Sequence, residues 1–123
     1  MGKGVLIDTD VLIDFVRGSV ELPGEPLFIT EITLYEFVRG SKDISKAKTL
    51  LEEGFSIIFH DNPIIQKASE IWAETKQRGE TLDDRDILIG AASAVKNLPL
   101  LTRNKKHYER LKEFNVAFYY PVS

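Results

Sequence analysis

The sequence alternates short apolar segments with helical patterns, and this alternation constrains the fold more than any other feature. Residues 5–7 form a largely β-branched run that ends at Asp8, as is typical of a buried parallel strand. Similar runs predict strands at residues 27–29, 55–59, 98–102 and 116–120. Because helical patterns separate these runs, we expect an α/β fold. It would be a three-layer α/β/α sandwich around a mostly parallel five-stranded sheet with right-handed crossovers.

Capping residues indicate where the helices begin. Thr30 and Asp43 are suitable N-caps for two helices, and Asp61 or Asn62 for a longer one. Asp10 is the expected cap of the first helix, over residues 11–16. Further helices are predicted over residues 87–95 and 105–114.

The composition limits the classes of function. The chain has 123 residues, which suit a single domain over residues 1–123 with one hydrophobic core. It has no cysteine, which excludes disulfides, thiolate zinc sites and cysteine nucleophiles. Its net charge of −3 argues against a protein that coats nucleic acid, since such binding needs many basic contacts to phosphate. An enzyme that holds phosphate through a divalent cation is compatible with that charge.

Apolar runs in the sequence are short. None approaches the roughly 20 residues that span a bilayer, and the N-terminal apolar stretch is too short for the core of a signal peptide. We therefore expect a cytoplasmic protein with no membrane partner.

Polar side chains are predicted to meet at one edge of the sheet. Ligands of open parallel sheets collect at the carboxyl ends of the strands, and Asp8 and Asn104 directly follow two of the predicted strands. Asp86 lies in the first turn of a buried helix, and Glu36 lies in the helix after the second strand. We expect these four residues to share one site.

Each acid also has a purely structural interpretation. Asp8 is as well explained as a helix cap as by a functional role, although Asp10 is better placed to cap. Glu36 has apolar neighbours, and a carboxylate among them needs a partner or a cation. Residues 83–86 can form an acidic helix start that the helix dipole favours, with Asp84 in that role and Asp86 left for the site.

A cluster of carboxylates is costly without a cation. Like charges at short range raise one another's pKa, and a hard divalent ion relieves the repulsion. Oxygen ligands suit Mg²⁺ or Mn²⁺. We therefore expect Asp8, Glu36 and Asp86 to bind such an ion.

Four segments of the sequence resemble the motifs of PIN-domain nucleases, especially the VapC toxins of prokaryotic toxin–antitoxin pairs. The segments are VLIDTDVLID (residues 5–14), TLYEFVRG (33–40), DILIGAA (86–92) and LTRNKKHY (101–108). The resemblance implies a Mg²⁺-dependent endoribonuclease that forms a homodimer and is inhibited by a cognate VapB-like antitoxin. It also implies that Asp8, Glu36 and Asp86 are the metal-binding acids. Asn104 falls where many members carry a fourth acid, although asparagine is common there too.

The expected chemistry is hydrolysis of RNA phosphodiesters by a metal-activated water. Because Asn104 is neutral, one tightly bound ion, with a second arriving with substrate, is compatible with the motifs. Two alternatives stay open. The chain could be a non-toxin PIN-domain nuclease of RNA processing, or a catalytically weak module that binds RNA or protein.

Residues around the predicted site have two interpretations each. Arg103 and Lys105 can contact RNA phosphates or simply begin a solvated helix. Arg39 can pair with a carboxylate, touch substrate or accept an antitoxin group. Thr9 and Thr102 can hydrogen-bond a metal ligand or water, or be ordinary residues at strand ends.

Other candidates have mainly structural interpretations. We expect a structural role for His60, and a structural or phosphate-contacting role for His107. Trp72 has the helical spacing of a core or interface residue. An apolar face on the first helices suits dimerisation, antitoxin docking or the domain's own core; its residues are Leu12, Phe15, Val16, Leu34, Phe37 and Val38.

Overall fold

A parallel sheet organises the computed structural model, which describes residues 3–120. The strands are β1 (Val5–Ile7), β2 (Leu27–Thr30), β3 (Ser56–Ile58) and β4 (Leu100–Leu101). Their order across the sheet is β3-β2-β1-β4, and every pairing is parallel. The carboxyl ends of all four strands therefore lie along one edge.

The predicted fifth strand is reduced to a single bridge, so the described residues form four strands and not the expected five. Leu100 pairs with Phe118 in parallel. The N–H of Leu100 donates to the carbonyl of Ala117 at 2.8 Å, and the N–H of Tyr119 donates to that of Leu100 at 2.9 Å. β4 is only two residues long, so its outer edge has few backbone groups left for further hydrogen bonds.

Residues 3–120 also form six helices and one 3₁₀ turn. They are α1 (Thr9–Val16), α2 (Glu31–Arg39), α3 (Ile44–Gly54), α4 (Asn62–Gln77), α5 (Asp84–Lys96), α6 (Lys105–Glu109) and the 3₁₀ turn Lys112–Phe114. The caps predicted at Thr30, Asp43 and Asp61 are confirmed, since each side chain accepts a hydrogen bond from an N–H of the following turn. The helix predicted over residues 105–114 is divided into α6 and the 3₁₀ turn.

The cap predicted for the first helix is wrong. Asp8 rather than Asp10 caps α1, because the helix begins at Thr9 and the Asp8 carboxylate accepts from its N–H. Asp83 caps α5 through the N–H of Arg85, and Asp84 lies in the first turn, where an acid at the helix start was predicted. Both helices start earlier than the apolar pattern indicates.

The hydrophobic core has two halves, one on each face of the sheet. Val5 and Ile7 pack against α1, α2 and α3, whereas Leu6 packs against α4, α5 and α6. Side chains of a strand alternate between its faces, so β1 is buried on both sides, as its apolar sequence predicted. The α/β sandwich architecture is confirmed.

The predicted apolar face of the first helices is divided between core and surface. Leu12 and Val38 are buried, whereas Phe15 and Val16 are 41% and 55% exposed. Trp72 on α4 is 48% exposed, so it is not a core residue. No helix within residues 3–120 is both long and apolar enough to cross a membrane.

Candidate active site

Asp8 lies at the carboxyl edge of the sheet, directly after β1, and both of its oxygens are engaged. Oδ1 accepts a 2.9 Å hydrogen bond from the N–H of Thr9, and Oδ2 accepts one of 2.7 Å from the hydroxyl of Thr102. These residues meet because β1 and β4 are parallel neighbours. Asp8 is only 4% exposed, so its orientation is fixed by the fold.

Tyr108 links Asp8 to Asp86. Its hydroxyl, carried on α6, lies 3.3 Å from Oδ1 of Asp8 and 3.2 Å from Oδ1 of Asp86. Burial raises the pKa of Tyr108, and the two negative carboxylates raise it further. The phenol therefore stays protonated, and its single proton can serve only one of the two carboxylates at a time.

The pKa of Asp8 reflects its burial and its charged neighbours. Burial raises the pKa of Asp8 from 3.8 to about 6, and the charges of Asp10 and Asp86 act in the same direction. Hydrogen bonds from Thr102 and Thr9 oppose the rise. A carboxylate with a raised pKa gains strongly from a nearby cation.

Glu36 reaches the same edge from α2. The hydroxyl of Thr9 donates to its Oε1 at 3.1 Å, and that hydroxyl also lies 3.0 Å from the hydroxyl of Thr33. The other oxygen, Oε2, lies 3.5 Å from a terminal nitrogen of Arg85. Thr9 therefore connects the N-terminal turn of α1 to the second predicted acid.

Arg85 lies between Glu36 and Asp86. Its Nε is 3.5 Å from Oδ1 of Asp86, and this buried nitrogen makes no hydrogen bond to the described residues. Burial lowers the pKa of Arg85, but the nearby negative charges, with Glu36 first and Asp86 next, raise it overall. The guanidinium thus partly neutralises two of the three acids.

His107 approaches Asp86 from the solvent side. Its Nδ1 lies 3.5 Å from Oδ2 of Asp86, and the imidazole is 58% exposed. Asp86 is consequently surrounded by three potential donors, from Tyr108, Arg85 and His107.

A second polar group lies beside this one and contains Asn104. The amide nitrogen of Asn104 donates to Oδ2 of Asp10 at 2.9 Å. Oδ1 of Asp10 is buried without a hydrogen-bond partner among the described residues. Arg103 lies 3.9 Å from Asp10 and makes a 2.9 Å ion pair with Asp14. Asn104 is thus held next to Asp10, a residue that we expected only to cap a helix.

Comparison with known proteins identifies the family of the chain. A family model described as PIN domain matches residues 5–113. This chain belongs to the PIN domain family. It is 43% identical over 119 residues to Ribonuclease VapC1 of Methanocaldococcus jannaschii, a match that covers 94% of this chain and 86% of that protein. The predicted resemblance is therefore confirmed.

Solved structures show the same PIN fold. A DNA-bound VapBC from Salmonella typhimurium superposes with a TM-score of 0.78 at 20% identity, over 97% of this chain and 98% of that chain. A toxin–antitoxin complex from Klebsiella pneumoniae gives a TM-score of 0.69 at 26% identity, over 85% of this chain and 89% of that chain.

The donor set of the PIN site suits a hydrated Mg²⁺ ion. Within the part of the chain that the structure describes, no three acidic or histidine side chains converge closely enough to hold one ion together. Magnesium, however, is usually bound through one or two carboxylates and several waters. Asp8 and Asp86 converge on one hydroxyl and supply such a pair, and the unpaired oxygen of Asp10 lies on the same edge.

Two predicted contact residues have other partners. The guanidinium of Arg39 lies over the ring of Tyr35 at 5.1 Å, and the ammonium of Lys105 lies over that of Tyr120 at 4.2 Å. Both side chains are solvent-exposed. The structure thus gives them aromatic contacts at the surface, and any contact with substrate remains a prediction.

Sequence reasoning missed Tyr108 and Arg85. Tyr108 is separated from Asp8 by 100 positions, so no local pattern connects them. A signal was nevertheless present, because a tyrosine on the apolar face of a short helix needs a partner for its hydroxyl. Arg85 stands next to Asp86 in an acidic segment, where a lone cation is a natural counter-charge.

Proposed function

We propose that this PIN-domain chain is a divalent-cation-dependent endoribonuclease, the toxin of a VapBC-type pair. The observation that carries the proposal is the convergence of Asp8 and Asp86 on one buried hydroxyl with Glu36 beside them, in a chain 43% identical to a ribonuclease. The Klebsiella toxin–antitoxin complex, at 26% identity, supports the same role.

The residues of the site have different roles in the proposed cleavage of a phosphodiester. Asp8 and Asp86 would hold Mg²⁺ or Mn²⁺, which when bound polarises the phosphate and activates water. Thr9 and Thr102 orient two of the acids through hydrogen bonds of 3.1 Å and 2.7 Å. Arg85 and His107 lie against Asp86 on the open side, where they can neutralise charge that develops on the phosphate oxygens.

A pair of aspartates on α5 provides the test. Asp86 is buried, whereas Asp84 is exposed two positions earlier. Asp86→Asn should abolish Mg²⁺-dependent cleavage of a single-stranded RNA and leave the melting temperature near that of the wild type. Asp84→Asn should cleave normally. Full activity in Asp86→Asn, or cleavage that chelation with EDTA does not stop, would refute the metal-dependent mechanism.

An antitoxin would have an apolar surface available on α1 and α2. Phe15, Val16 and Tyr35 are 41%, 55% and 60% exposed. We propose that a VapB-like partner covers this surface, and that the two proteins act in the cytoplasm. Co-expression with the product of the adjacent gene should yield a complex that Phe15→Glu weakens and Arg17→Glu preserves. Expression of the chain alone should arrest growth; a non-toxin RNA-processing nuclease would not.

We also propose a homodimer. Ile65 and Trp72 on α4 are 46% and 48% exposed, and exposed large apolar side chains on one helix are typical of an interface. Sedimentation over a dilution series should show a dimer that Trp72→Glu dissociates and Lys67→Glu does not. A monomer at every concentration would contradict this proposal.

A further inference from the structure

A cavity of about 510 Å³ lies on the α1 side of the sheet, beside the candidate active site. Its walls come from α1, from the segment between α1 and β2, from the end of β4 and from Tyr119. Ligand pockets have volumes of roughly 300 to 1,000 Å³, so the cavity is large enough for a nucleobase with its ribose. The proposed cleavage mechanism gives this cavity no role.

The cavity and the active site share a wall. Thr102 lines the cavity, and its hydroxyl donates the 2.7 Å hydrogen bond to Oδ2 of Asp8. A polynucleotide that places one phosphate at Asp8 carries the next nucleotide on the same covalent chain. That nucleotide must lie against a surface adjacent to Asp8, and the cavity is such a surface.

The lining suits a nucleobase. Leu22 and Pro23 provide apolar walls, and Tyr119 provides an aromatic face. Bases stack on aromatic side chains whatever their identity. Burial raises the pKa of Tyr119, and the nearby carboxylate of Glu25 raises it further.

Charged groups of both signs line the same cavity. Asp14 is buried and can only accept hydrogen bonds, whereas Arg103, its ion-pair partner at 2.9 Å, is 63% exposed and can only donate. Arg103 also lies 3.9 Å from Asp10, between the cavity and the acids. These groups can distinguish base edges by their donors and acceptors, and the guanidinium can contact a flanking phosphate.

We propose that this cavity is a subsite for the nucleotide next to the scissile phosphate, with Tyr119 as the stacking platform and Arg103 as the residue between base and phosphate. The inference rests on the proposed function and adds a determinant of substrate recognition to it. An antitoxin peptide would be the other candidate occupant. The shared wall with Asp8 and the aromatic face favour the nucleotide.

The test compares variants inside and just outside the cavity. Tyr119→Ala removes the platform, and Val20→Trp fills the space from a residue that is 38% exposed and therefore tolerant of a larger side chain. Tyr120→Ala is the matched control, because Tyr120 is the next residue, is 60% exposed and is not part of the cavity wall. Circular dichroism and thermal melting establish that each variant folds.

Two measurements use a set of short single-stranded RNAs that differ only at the base beside the cleaved phosphate. With Mg²⁺, Tyr119→Ala and Val20→Trp should raise KM about tenfold, as loss of one base–aromatic stack would, with little change in kcat. Both variants should also lose the wild-type preference among bases. In EDTA, fluorescence anisotropy of the same RNAs should show the same loss of affinity. Tyr120→Ala should match the wild type in both measurements.

Unchanged KM, base preference and RNA affinity in folded Tyr119→Ala and Val20→Trp would overturn the subsite. Unchanged RNA binding with weakened binding of the antitoxin would overturn it in favour of a peptide groove. Failure of the proposed function has a different signature, since the wild type would then cleave no RNA with any divalent ion. The anisotropy series would still decide the subsite in that case.

Discussion

The hydroxyl of Tyr108 lies 3.2 Å from Oδ1 of Asp86. The same hydroxyl lies 3.3 Å from Oδ1 of Asp8, and Tyr108 is only 1% exposed. One buried phenol therefore sets the separation of the two carboxylates that we propose as metal ligands. Because Tyr108 hardly contacts solvent, it affects the site by positioning these two carboxylates.

Removal of the phenol hydroxyl should loosen this pair. In Tyr108→Phe the two carboxylates lose a shared donor, and the free energy of unfolding should fall by about 1 to 2 kcal/mol. We expect kcat for RNA cleavage to fall about tenfold with KM nearly unchanged, since Tyr108 positions the acids and does not touch substrate. Urea unfolding and steady-state kinetics measure the two effects. Tyr35→Phe is the control, because Tyr35 is 60% exposed; equal behaviour of both variants would show that the linking hydroxyl has no role.

Asp8 should make the metal-free protein less stable at neutral pH. Its pKa is raised from 3.8 to about 6 in the folded chain, so the folded state binds this proton more tightly than the unfolded state. The contribution of Asp8 to stability is therefore fully present below pH 4 and is lost as the pH rises through 6. Each unit of pKa difference corresponds to about 1.4 kcal/mol, which gives a loss on the order of 3 kcal/mol at pH 7.

Denaturant unfolding in EDTA checks this loss. Asp8→Asn should be more stable than the wild type at pH 7 and similar to it near pH 4, because asparagine also caps helices but cannot ionise. Asp43→Asn is the matched control, since Asp43 caps α3 through a 3.1 Å hydrogen bond at an exposed position. A wild type whose stability is flat between pH 4 and 7 would rule out the raised pKa.

The strand-end rule predicted which acids meet, because it depends only on the order of strands and not on side-chain detail. Asp8 lies at the end of β1 as the rule requires, beside Thr102 and within reach of Asp86 through Tyr108. Asn104, which the rule placed in the same site, contacts Asp10 instead. The caps were less predictable. Asp8 and Asp10 are both good capping residues, and only the start of α1 at Thr9 decides between them.

Two of the contacts that sequence reasoning missed are long-range. Tyr108 and Asp8 are 100 positions apart, and Arg85 and Glu36 lie on different helices. Such pairs follow from helix packing over the sheet, which a local pattern does not encode. The fifth strand also depends on a pairing between separate segments, and β4 pairs with the last segment only through the bridge of Leu100 and Phe118.

Arg85 should compete with the metal ion. Its guanidinium lies 3.5 Å from both Glu36 and Asp86, so a cation bound there meets a like charge. Arg85→Met should strengthen Mn²⁺ binding about tenfold, a modest effect because the side chain is partly solvated. Isothermal titration calorimetry measures it. Arg39→Met, at an exposed arginine stacked on Tyr35, should bind Mn²⁺ like the wild type; weaker binding in Arg85→Met would contradict this competition.

Asn104 should limit the number of bound ions. Its amide donates to Oδ2 of Asp10 at 2.9 Å, so Asn104→Asp replaces an attraction with a repulsion between two carboxylates. The metal-free variant should lose about 1 kcal/mol of stability, and calorimetry should show a second Mn²⁺ ion bound where the wild type binds one. Asn62→Asp, at the exposed start of α4, adds the same charge away from the site and should change neither the stoichiometry nor the affinity. If Asn104→Asp still binds a single ion, with wild-type stability in EDTA, then Asn104 and Asp10 do not form part of the metal site.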